Sequence, residues 1–150
     1  MKMTPRLLRG LRQFLLPGEF SVAPEVLKEH SKDKWFASHM PDAVVFPKNT
    51  ASVAKLLAYA NRYHLPVTPR GAGHGYVGGC VPTKGGVVLS LAKMDRIKEI
   101  SPQDFVAVVQ PGVITERLQA AVEKLGLYYP PDPASRGESF ARHLGARCGL

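Results

Sequence analysis

The chain has 150 residues, 45% hydrophobic and 21% charged, with a formal net charge of +8. That length holds at most one modest domain, and the composition is globular rather than disordered. No apolar run approaches membrane-spanning length, and the N-terminus lacks the long apolar core and small-residue cleavage site of a secretory signal. The basic excess suits nucleic acid, an anionic cofactor or substrate, or plain solubility. The basic residues are scattered except near the N-terminus and form no aromatic–basic recognition motif, so nucleic acid is not expected as a partner. Cys80 and Cys148 lie far apart, and His30, His39, His64, His74 and His143 form no close pair, so no structural metal is expected. Free thiols suit a reducing compartment, and the expected location is cytoplasmic.

Between Met1 and Leu16, Arg6, Arg9 and Arg12 alternate with Leu7, Leu8, Leu11, Phe14 and Leu15 at three- and four-residue steps. This predicts a short basic amphipathic helix packed on the domain. Contact with an anionic membrane surface, or a targeting segment, is the alternative. Pro17-Gly18 ends it. Pro24 to Phe36 predicts a second helix with Val26, Leu27 and His30 on one face, followed by a connector to Pro41. Asp42 to Pro47 reads as a short buried strand. Asn49 or Thr50 can cap a helix running to Tyr63, with Val53, Leu56, Leu57 and Ala60 as its apolar face. Leu65 to Thr68 is the next strand, completing a β-α-β unit.

That unit delivers the chain to Pro69-Arg70-Gly71-Ala72-Gly73-His74-Gly75-Tyr76-Val77-Gly78-Gly79, with five glycines in eleven residues. Such a run makes neither a helix nor a packed strand, but it admits a ligand close to the main chain. Its N–H groups can form a concave anion site at the carboxyl end of a strand. Gly73 to Gly78 also fits G-x-G-x-x-G, but the Rossmann reading of that pattern needs a helix opening in the loop. Here Cys80-Val81-Pro82, a Gly85-Gly86 turn and a β-branched run follow, so that reading is set aside. Cys80 is expected to be a small buried apolar residue.

Val87 to Leu91 predicts a strand, Lys93 to Arg96 a polar turn, and Ile97 and Ile100 a partly exposed strand. Phe105 to Gln110 predicts another strand, broken at Pro111-Gly112. Thr115 is placed as the cap of a helix with Leu118, Ala121, Val122 and Leu125 on one face, closed by Gly126. Leu127 to Tyr129 reads as a short strand, and Pro130-Pro131-Asp132-Pro133-Ala134-Ser135 as a stiff extended segment. The whole is an α+β or α/β pattern.

Several of these stretches, taken in order, resemble one family. They are Pro41 to Pro47, the glycine loop, Gly85-Gly86-Val87-Val88-Leu89, Val109-Gln110-Pro111-Gly112 and Pro130 to Ser135. Together, over residues 41–135, they are similar to the FAD-binding domain of the FAD-linked oxidases, the fold of p-cresol methylhydroxylase, vanillyl-alcohol oxidase and the glycolate oxidase/D-lactate dehydrogenase group. The resemblance implies an α+β fold whose first subdomain is a small sheet flanked by helices, with FAD between two such subdomains. It implies that amides of Arg70, Gly71, Ala72, Gly73, His74, Gly75, Tyr76, Gly78 and Gly79 hold the FAD diphosphate, with Asp132 and Ser135 near the flavin. Arg70, Gly73, His74 and Tyr76 also match a berberine-bridge-like pattern, which implies a covalent histidyl-flavin through His74. A loop histidine beside the cofactor, not bonded to it, is the alternative.

The resemblance further implies a substrate-binding C-terminal domain that this chain lacks, so a small-molecule substrate would be met only there and no catalytic residue is assigned. The expected organisation is an N-terminal helical segment over 1–40, a partial FAD-binding domain over 41–135 and a divergent tail over 136–150. After Ser135 the Arg-rich tail departs from the family pattern, as a truncated or frame-shifted product would. The expected function is the FAD-binding portion of a flavin-dependent oxidoreductase acting on a 2-hydroxy acid or similar alcohol, with the chain alone binding FAD weakly and inactive. A non-catalytic nucleotide- or partner-binding fragment is the alternative.

Overall fold

The protein is described by a computed structural model over residues 3–131 and Gly137. Two compact units divide the chain, Met1–Lys93 and Met94–Leu150.

In the first unit, helix α1 (Pro5–Phe14) starts at Thr4, whose hydroxyl accepts from the Leu7 N–H at 3.4 Å, with proline in the first turn. Leu11 is fully buried, and Leu7, Leu8, Phe14 and Leu15 join the same core. The apolar face of α1 is therefore spent on the domain, as the packed reading expects. Helix α2 (Pro24–Glu29) is shorter than its predicted extent to Phe36. Ser31 Oγ donates to the Lys28 carbonyl at 2.8 Å, and Asp33 Oδ1 accepts from the Trp35 N–H at 2.8 Å. These local side-chain bonds offer the backbone an alternative to the helix ladder.

The sheet of this unit has the order β1-β2-β4-β3, built from β1 (Phe20–Ser21), β2 (Ala43–Val45), β3 (Val67–Arg70) and β4 (Val87–Ser90). β1 runs antiparallel to β2, whereas β2, β4 and β3 are parallel. Every residue of β2 and β4 is buried, as expected of parallel strands covered on both faces. β4 lies between the strands that α3 (Thr50–Arg62) connects, so the last strand of the unit is central in its parallel part. β3 starts two residues later than the strand predicted from Leu65, because the Leu65 N–H is still bonded to the Ala60 carbonyl at 2.9 Å.

Asn49, one of the two candidates, caps α3, its Oδ1 accepting from the Ser52 N–H at 2.9 Å. The buried stripe of α3 is Ser52, Leu56 and Ala60. Leu57, expected on that face, is 47% exposed. A stripe that follows i, i+4, i+8 turns the residue after Leu56 about 100° away from the core.

The second unit pairs β5 (Ile97–Ser101) with β6 (Val106–Val109) as an antiparallel hairpin, followed by α4 (Thr115–Glu123). Val113, Leu118, Val122 and Tyr129 form its core, with Ile97, Ile100, Ala107 and Val109 against it. Three local readings are corrected here. Thr115 is the first residue of the helix and not its cap; Ile114 holds that position. Leu125 is 48% exposed, lying beyond the last helical residue, while Gly126 closes the element at φ +71°. Leu127 to Tyr129 form no strand: Gln119 Nε2 donates to the carbonyls of Tyr129 (3.3 Å) and Pro131 (2.8 Å), replacing ladder bonds with side-chain bonds.

Candidate functional site

β3 ends at Arg70, paired with Ser90 of β4, and the chain then runs without helix to Cys80. The Rossmann requirement is thus absent in the fold as well. Gly73 and Gly78 sit at φ +77° and +72°, the left-handed region that disfavours other residues. A Cβ on Gly73 would collide with the Arg70 guanidinium, and one on Gly78 would lie 3.0 Å from the Trp35 ring. Both positions need glycine for conformation, and a side chain at either would displace the Arg70 guanidinium or crowd the Trp35 ring. Among the described residues, Gly75, Tyr76 and Val77 donate no N–H to another main-chain group.

The loop rests on residues that the sequence reading assigned to a helix end. Arg70 Nη1 donates to the Lys32 carbonyl at 2.6 Å and to Cys80 Sγ at 3.3 Å, and Nη2 to the Glu29 carbonyl at 3.5 Å. Its guanidinium thereby ties the start and end of the loop to the segment after α2. The Lys34 N–H donates to the Gly75 carbonyl at 3.0 Å, and the Trp35 ring lies under Gly78. Asp33 is 8% exposed. Its Oδ2 is buried with no hydrogen-bond partner, 3.3 Å from where a Cβ on Gly75 would sit.

Two titratable groups flank this platform. Burial, with Arg70 adding to it, pushes the His30 imidazole below its ordinary value; the bond to the Val26 carbonyl and the charge of Glu29 oppose. Its ring also packs edge-on against Phe46 at 5.2 Å. Burial raises the Cys80 thiol, and Asp33 adds to that while Arg70 opposes. Cys80 is half-buried and bonded to Arg70, so the expectation of a small buried apolar residue is corrected. A raised thiol is a poor nucleophile at neutral pH. Beside the platform, Phe36, Tyr76 and Val77 are 85%, 71% and 84% exposed.

The nine loop candidates, Arg70, Gly71, Ala72, Gly73, His74, Gly75, Tyr76, Gly78 and Gly79, occupy one continuous segment, with His74 half-buried within it. Asp132 and Ser135 lie outside the described residues. Asp33, Lys34 and Trp35 were not anticipated. The available signal was an aspartate two residues before its N–H partner, the spacing of an Asx-turn. No group of three or more His, Cys, Asp or Glu among the described residues is placed to hold a metal ion. No described helix is long and apolar enough to cross a membrane.

The chain is 47% identical over 96 residues to glycolate oxidase subunit GlcD of Bacillus subtilis (strain 168), covering 64% of this chain and 20% of that protein. It is 36% identical over 142 residues to D-lactate dehydrogenase of Anaerostipes hadrus, covering 93% and 29%. It is 36% identical over 148 residues to D-2-hydroxyglutarate dehydrogenase of Stutzerimonas stutzeri (strain A1501), covering 97% and 32%. The chain thus spans a third or less of the length of these relatives. Among solved structures, alkyldihydroxyacetonephosphate synthase superposes with a TM-score of 0.83 at 22% identity, covering 93% of this chain and 28% of that one. Substrate-bound p-cresol methylhydroxylase superposes at 0.71 and 23%, covering 81% and 24%. These two likenesses show the fold, the α+β FAD-binding type expected from the sequence. The FAD binding domain family matches residues 41–141, more than half of the chain, and this protein belongs to that family of FAD-linked oxidoreductase domains.

Proposed function

We propose that this chain holds the diphosphate of FAD on the main chain of residues 70–79 and is the cofactor-binding part of an enzyme that oxidises a 2-hydroxy acid or a similar alcohol. The observation that carries the reading is the loop itself. It leaves the carboxyl end of a parallel strand, has glycines at positive φ where a side chain would disturb Arg70 or Trp35, and has N–H groups at Gly75, Tyr76 and Val77 without main-chain partners among the described residues. Unpaired N–H groups of this kind attract phosphate oxygens, and the chain's net charge of +8 favours a dianionic ligand. The alcohol class is supported by relatives named as glycolate oxidase, D-lactate dehydrogenase and D-2-hydroxyglutarate dehydrogenase.

The fit to FAD is good where the protein must approach closely and open where the flavin must be covered. Bound here, FAD supplies the two-electron acceptor, and this chain's residues bind and orient it. Tyr76, Val77 and Phe36 leave apolar surface beside the loop uncovered. A cofactor gains much of its affinity from such surface being enclosed, so the chain alone binds FAD weakly and shows no turnover. Titration with FAD, ADP and inorganic pyrophosphate tests the reading. Saturable binding with FAD preferred over both others supports it. Binding of all three without preference favours a general nucleotide- or phosphate-binding fragment.

A further inference from the structure

Two unsatisfied sets of groups lie against each other beneath the glycine loop. On one side is Asp33 Oδ2, buried and without a partner. On the other is the main chain at Gly75, whose N–H and those of Tyr76 and Val77 reach no described main-chain acceptor. The Lys34 N–H already holds the Gly75 carbonyl at 3.0 Å, so the two segments are in register. Gly75 also lies close to the orphan oxygen, which sits 3.3 Å from the position of a Cβ added there. A buried acceptor left without a donor is costly, and native proteins seldom keep one that has no use.

We propose that Asp33 is a positioning residue for the cofactor: when a diphosphate occupies the loop, Asp33 Oδ2 accepts an N–H from the Gly75–Tyr76 stretch and fixes the cradle in its binding shape. This deepens the flavin reading and rests on it. The remaining loop N–H groups are then turned toward the phosphates, and the negative carboxylate stays behind the main chain, away from the ligand. Asp33 Oδ1 keeps its bond to the Trp35 N–H throughout, so the platform itself does not change.

The test uses the full chain and the variant Asp33→Asn, which keeps an acceptor for Trp35 and can present an amide donor where Oδ2 stood. Hydrogen bonds to charged groups lead us to expect FAD affinity to fall about ten- to a hundredfold. The thermal midpoint of the ligand-free variant should stay at the wild-type value, because the missing bond does not exist before binding. A purely structural residue would lower that midpoint instead. In the wild type, the Gly75 or Tyr76 amide proton should shift downfield on saturation with FAD and with pyrophosphate, and not in the variant. Unchanged FAD affinity in the variant overturns the proposal, as does the absence of any amide shift in the wild type. The wild-type NMR measurement decides the matter even if the variant does not fold. Failure of wild-type protein to bind FAD overturns the flavin reading first, which a wild type that binds FAD without any Asp33 effect does not.

Discussion

The first unit buries two acidic side chains, and they are treated in opposite ways. At the corner between α1 and β1, Glu19 is fully buried and both its oxygens are used: Oε1 accepts from the Lys48 N–H at 2.7 Å, and Oε2 from the Leu16 N–H at 3.0 Å and Ser52 Oγ at 2.9 Å. It thereby joins the end of α1, the loop after β2 and the first turn of α3. Under the glycine loop, Asp33 uses one oxygen on Trp35 and leaves the other without a partner. A satisfied buried acid specifies the fold, whereas the unsatisfied one beneath the glycine loop is the group that the proposed diphosphate-bound cradle would engage. Burial alone would raise the Glu19 carboxyl, but its three hydrogen bonds and the charge of Lys48 outweigh that and hold it below the usual value.

Glu19→Ala should break this comparison most sharply if it is wrong. The substitution strands three buried or half-buried donors and opens space, for an expected loss of about 3 kcal/mol or more in denaturant unfolding. Asp33→Asn, measured the same way without ligand, should change stability by less than about 1 kcal/mol. Equal losses at the two sites would mean that both acids are structural. Gly73→Ala comes next. Its left-handed φ and the collision with Arg70 should cost about 1–2 kcal/mol of stability, with a further loss of FAD affinity as Arg70 lets go of Lys32.

Acid sharpens the same contrast. The folded Glu19 carboxyl lies below its ordinary 4.5, so its contribution is complete above that value and is lost as pH falls through the folded value. Glu19→Gln should flatten the acid limb of stability against pH below about 4.5, and an unchanged limb would show that other carboxylates carry it. The smallest effect should come from Asn49→Ala, which removes the α3 cap for about 1 kcal/mol and leaves FAD binding unaltered. For His74, bound FAD should be released in full when the protein is denatured with acid. Flavin that stays with the chain would instead establish the histidyl bond that the loop pattern raises.

Much of the chain was legible because its signals are local. Asn49 as a cap, the Pro24 start of α2 and the glycine run before Cys80 are such signals, and each acts over a turn or less of backbone; the Thr4 cap and Pro5 start of α1 emerge only in the fold. The errors occur where a residue's fate depends on distant partners. Leu57 and Leu125 look apolar enough to be core, but the sheet and hairpin they would have to reach are already covered by Leu56 and Val122. Nothing in the sequence signals where the Arg70 side chain goes: the fold directs its guanidinium to the Lys32 and Glu29 carbonyls, which lie far from it in the chain.

The amino-acid sequence by itself determined that strands and helices alternate and that a glycine-rich loop follows the strand read at Leu65 to Thr68, since backbone preference and short-range capping suffice for both. Only the tertiary structure decided that β4 would lie between β2 and β3, and that Asp33, Lys34 and Trp35 would underlie the loop. Those contacts join residues roughly forty positions apart, and they form through packing of the whole unit, which no local pattern encodes.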